Sequence, residues 1–82
     1  MSYITPEARQ EIAEGRKPQS CGELNYVITR VCLDYMKENP WTSYGTLNNV
    51  VGVLELTKAE LIRRLVVPLS EQKRQEHGDT FV

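Results

Sequence analysis

Apolar residues recur along the chain at helical spacing rather than in alternation, and they outline three segments. The first opens at Thr5-Pro6-Glu7. Thr5 can cap a helix, Pro6 suits the first helical position, and Glu7 favours the positive end of the helix dipole. Gly15 ends the segment. Its apolar content, Ala8, Ile12 and Ala13, is thin, so it reads as a satellite helix that needs a host surface. Arg16-Lys17-Pro18-Gln19 follows as a connector, because Pro18 lacks the amide hydrogen a continuing helix uses. Residues 1–19 are thus a short helix and its connector.

The second helix spans 20–39. Ser20-Cys21-Gly22-Glu23 has the form of a capping box, with Ser20 accepting from the amide of Glu23 and Glu23 reaching back to the amide of Ser20. One apolar stripe runs through Cys21, Leu24, Ile28, Val31, Cys32 and Tyr35, flanked by Val27 and Met36. Tyr26, Arg30, Leu33 and Lys37 fall on the other side. Asn39-Pro40 stops the helix.

The third helix, 43–67, is capped by Thr42 or Ser43 and carries Leu47, Val50, Val51, Leu54, Leu61, Ile62 and Leu65 on its main face. Pro68 removes a helical hydrogen bond and clashes with the preceding turn, which predicts a kink or break. A further helical segment, 69–77, ends at Gly78, and its run Glu71 to Glu76 reads as solvated on every side. Tyr3-Ile4 and Thr80-Phe81-Val82 favour extended backbone and form a candidate terminal pair. The expected fold is all-α, a single domain over 1–82. It is an antiparallel helical hairpin with a short N-terminal helix and a Pro-kinked C-terminal segment.

A second stripe lies opposite the main face of the third helix. Gly45, Gly52 and Ala59 recur every seventh residue, with Leu56, Arg63 and Val66 beside them. Glycine inside a helix costs about 1 kcal/mol relative to alanine, so it needs a reason. In one account Gly45 belongs to the loop and Gly52 relieves a single tight contact. In the other the stripe is a seam against another helix, and a second copy of the chain covers it. Tyr26, Arg30 and Leu33, left outside the stripe of the second helix, support the second account. Two hairpins would then close into a four-helix bundle.

Lys58 projects from the apolar stripe itself. A buried ammonium is costly unless paired. Either its stem crosses the core and the charge reaches the rim, or Glu55, Glu23 or Asn25 pairs with it and fixes the helix register. Glu55, Glu60, Arg63 and Arg64 are spaced for ion pairs within one helix. Arg63 also falls on the seam, where a bond across an interface is the alternative.

Size and charge narrow the function classes. A chain of 82 residues is marginal as a lone folded unit, which gives partners a part in its stability. Ten basic against eleven acidic residues leave a net charge of -1, without the basic excess that phosphate neutralisation demands, so nucleic acid is not an expected partner. Arg63, Arg64, Lys73 and Arg74 form only a local basic patch, weakened by Glu60, Glu71 and Glu76. No apolar run approaches the roughly 20 residues that cross a bilayer. Met1-Ser2-Tyr3-Ile4-Thr5-Pro6 lacks the layout of a secretory signal, so no membrane role and a cytoplasmic location are expected.

Catalytic groupings are sparse. Cys21 and Cys32 on one helix stand roughly 16 Å apart, beyond the reach of a disulfide, about 7 Å, and both thiols are expected buried and reduced. His77 is the single histidine, so no triad or histidine-based zinc site can form within one chain. No glycine-rich phosphate loop is present, and no cofactor is expected. Glu11 and Glu14 share the short helix, but the long helices offer no carboxylate pair one turn apart on a core face. A binding or assembly role with an unidentified protein partner, as a homo-oligomer, is therefore expected. The alternatives are a small helical-bundle enzyme acting on nucleotides with magnesium, or a nucleic-acid accessory protein.

The segments Gly22-Glu23-Leu24-Asn25-Tyr26-Val27-Ile28-Thr29-Arg30, Gly52-Val53-Leu54-Glu55, Arg63-Arg64 with Val67-Pro68, and His77-Gly78-Asp79, together with Tyr3-Ile4, carry a resemblance. The chain resembles, over most of its length, a group of short uncharacterised proteins encoded mainly by tailed bacteriophages and bacterial prophages. The resemblance implies a phage-related, cytosolic accessory or assembly protein and transfers no catalytic residue. It marks Glu23, Asn25, Thr29 and Arg30 on one helix and Glu55 and Arg64 on the next as the polar positions of interest. The cysteines and Lys58 fall outside its pattern.

Overall fold

The computed structural model describes residues 4–38 and 44–81. The described residues are all-helical, with 82% in helix and no strand. Their order is α1 (Pro6–Ala13), α2 (Cys21–Glu38), α3 (Tyr44–Leu61), a π turn (Ile62–Val66) and α4 (Val67–His77). The chain falls into two units, Met1–Thr46 and Leu47–Val82, with the division inside α3. The Asn39-Pro40 stop, the Thr42 or Ser43 cap, Tyr3 and Val82 lie outside the described residues.

In the first unit, α1 starts where its sequence says it should. The Ala8 amide donates to Thr5 Oγ1 at 3.0 Å, and Pro6 occupies the first helical turn. The helix closes through Gly15, whose φ of +110° is open to glycine and strained for other residues. Two hydrogen bonds complete this closure. The Gly15 amide donates to the Ile12 carbonyl at 3.0 Å, and the Arg16 amide donates to the Glu11 carbonyl at 3.0 Å. This is the Schellman arrangement, which satisfies carbonyls that the helix end leaves without partners.

The capping box of α2 forms with a one-residue displacement. The Glu23 amide donates to Ser20 Oγ at 3.1 Å, as expected. The Glu23 carboxylate, however, accepts from the amide of Gln19 rather than that of Ser20, at 3.1 Å. Met36 is the buried apolar side chain of the described residues. Leu24, Ile28, Val31 and Tyr35 of the α2 stripe are exposed. Both cysteines are free thiols, but neither is buried: Cys21 is exposed in the first turn of α2 beside the cap, and Cys32 is half-buried.

In the second unit the helix neither stops nor breaks at Pro68. It passes through the proline into α4, which begins at Val67 instead of 69. The turn before it is widened. The Val67 amide reaches back five residues to the Ile62 carbonyl instead of four. Proline has no amide hydrogen to give to the carbonyl four residues earlier, and its ring would press on that carbonyl. A wider turn moves the carbonyl aside, so helical hydrogen bonding continues past the proline. α4 ends as predicted at Gly78, with φ +88° and its amide donating to the Arg74 carbonyl at 2.8 Å. Beyond it the Phe81 amide donates to Asp79 Oδ1 at 2.8 Å, which turns the chain at Thr80 and Phe81.

Candidate functional site

The closure of α1 sets up a polar clasp. The left-handed backbone at Gly15 turns the chain so that Arg16 points back over α1 and across to α2. Arg16 Nη1 lies 3.1 Å from Glu23 Oε1, and Arg16 Nε lies 3.7 Å from Glu11 Oε1. The guanidinium is largely covered, and its Nε has no hydrogen-bond acceptor among the described residues. Glu23 is held below the usual carboxylate range. The Gln19 amide that donates to it is the main cause, and the Arg16 guanidinium adds to the effect. Glu23 was singled out in the sequence for its capping role, but Arg16 was read only as part of a connector. The signal for Arg16 was its place three residues past the end of α1, directly after a terminating glycine.

Next to the clasp, Ile12 and Ala13 of α1 and Tyr26, Val27, Arg30, Val31 and Asp34 of α2 line a groove of about 260 Å³. Tyr26 and Arg30, placed by the sequence on the outer side of α2, therefore face α1. Arg30 Nη2 donates to Asp34 Oδ1 at 3.1 Å, and Lys37 Nζ stands 3.8 Å from the same oxygen. Asp34 is a partner that sequence reasoning overlooked, although it stands one turn after Arg30. Leu33 is exposed, as are Asn25 and Thr29.

On the second stripe of α3, Gly45, Gly52, Leu56 and Ala59 are exposed, and so are Arg63 and Val66 of the π turn. Leu56 is 70% exposed. A methyl group added at Gly52 would meet nothing within 4 Å. Lys58 Nζ pairs with Glu55 Oε2 at 3.9 Å, one turn away, and both side chains are exposed. Arg63 and Arg64 both grip Glu60. Arg63 Nε and Nη2 donate to Glu60 Oε1 at 3.1 and 3.0 Å, and Arg64 Nε donates to Glu60 Oε2 at 2.8 Å. The pairs of Lys58, Arg63 and Arg64 are thus drawn within their own helix. In α4, Lys73 pairs with Glu76 at 3.7 Å, and Arg74 pairs with Glu71 and Asp79.

Among the described residues, no group of three or more His, Cys, Asp or Glu side chains could hold a metal ion. No helix among them is long and apolar enough to cross a membrane. A family model described as a domain of unknown function (DUF6899) matches residues 1–80. The chain belongs to this family. The DUF6899 match spans both units of the structure and almost the whole sequence, so the clasp, the groove and the α3 stripe all lie inside one family domain. No curated protein and no solved structure matches the chain.

Proposed function

We propose that this DUF6899 domain is a protein-binding or assembly module that acts as a homo-oligomer, with the second stripe of α3 and the adjoining π turn as the contact surface. One observation carries the reading. Leu56 and Val66 stand open on the same side of a helix that also presents Gly52 with no obstruction in front of it. Burying apolar surface contributes roughly 25 cal/mol per Å², so a helix with such open apolar groups gains from a neighbour. A glycine with free space above it lets that neighbour's backbone come close.

The hairpin of α2 and α3, and the pairing of two hairpins into a four-helix bundle, are the arrangement this reading entails. The resemblance to proteins encoded by tailed phages and prophages supplies the context, an accessory or assembly role in the bacterial cytoplasm. The internal pairing of Arg63, Arg64, Lys73 and Arg74 with carboxylates favours a protein partner over nucleic acid, because these cations are already neutralised.

The test is the mass of the purified protein in solution by light scattering. The expected value is at least twice the 9.4 kDa of one chain. Gly52→Leu should return it to a single chain while helix content is kept. A wild-type protein that stays monomeric at every concentration overturns the proposal.

A further inference from the structure

We draw no further inference here: the strongest candidate, the groove between α1 and α2 lined by Ile12, Ala13, Tyr26, Val27 and Arg30, is an open surface, and nothing in the structure shows what covers it.

Discussion

Arg16 and Glu23 meet across the turn between α1 and α2, with the guanidinium Nη1 3.1 Å from the carboxylate Oε1. The same oxygen accepts from the Gln19 amide, so one carboxylate caps a helix and fastens the preceding one. In the folded chain Glu23 stays ionised to lower pH than an ordinary glutamate, because the Gln19 amide and then the Arg16 guanidinium favour its carboxylate. Between the ordinary glutamate value of about 4.3 and that lower value, the unfolded chain holds more protons than the folded one. The contribution of the clasp is therefore complete above the ordinary value and fades as pH falls through the lower one. Thermal melts from neutral to acid pH should show the wild type losing more stability in this window than Glu23→Gln. An identical acid slope in both proteins would show that Glu23 does not act this way.

Gly15 sets the turn that aims the neighbouring Arg16 into the clasp. Its φ of +110° is strained for a side-chain-bearing residue. Gly15→Ala should cost about 1–2 kcal/mol. It should also displace Arg16, because the Arg16 amide bond to Glu11 depends on that turn. Denaturant titration reads the energy, and amide exchange over Ala8–Ala13 reads the loosening of α1. A variant as stable as the wild type, with unchanged exchange, would contradict the structure at this turn.

Gly52 offers a test of sign. With nothing within 4 Å of an added methyl, Gly52→Ala should stabilise the isolated helix by about 1 kcal/mol. At concentrations where chains associate, the same methyl would hold a neighbouring backbone away and weaken the assembly. Melting temperatures measured at low and high protein concentration should therefore move in opposite directions. A uniform gain at all concentrations would mean that no backbone approaches Gly52.

Pro68 governs the widened turn. Pro68→Ala returns an amide hydrogen to the ladder and removes the ring, and should stabilise the helix by up to about 3 kcal/mol. The five-residue reach from Val67 to Ile62 should relax to the regular four. Amide proton shifts and exchange rates over 62–68 check this. Retention of the wide turn in Pro68→Ala would assign its cause to the neighbouring side chains instead.

The local rules of helix punctuation were readable in the residues themselves. Thr5-Pro6-Glu7 and Gly78 act within a few positions of where they stand and work as written, while Ser20 caps Glu23 as expected but the Glu23 carboxylate takes the Gln19 amide one residue earlier. Contacts that rely on a turn's shape were not readable. Arg16 reaches Glu23 because Gly15 reverses the chain, and spacing alone does not encode that reversal. The wide turn before Pro68 was not legible for a related reason. A proline disturbs only a regular turn, and one turn can be made irregular at less cost than ending the helix. Tyr26 and Arg30 were assigned to an outer face because a stripe shows which residues lie together without showing which neighbour takes them. The polar residues Glu55, Lys58 and Arg64 were candidates for a wider network, and each finds its partner within the same helix.

The wide turn at Ile62–Val66 has a consequence for any surface laid along this rod. Each residue of a regular helix advances the azimuth by about 100°. A turn that spans five residues instead of four throws the following side chains out of phase by roughly one such step. Leu61 and Leu69, eight residues apart and so about 80° out of line at regular spacing, are thereby brought almost onto one bearing. A stripe that repeats every seven residues along α3 therefore keeps its bearing across the wide turn only at a spacing of eight, as from Leu61 to Leu69.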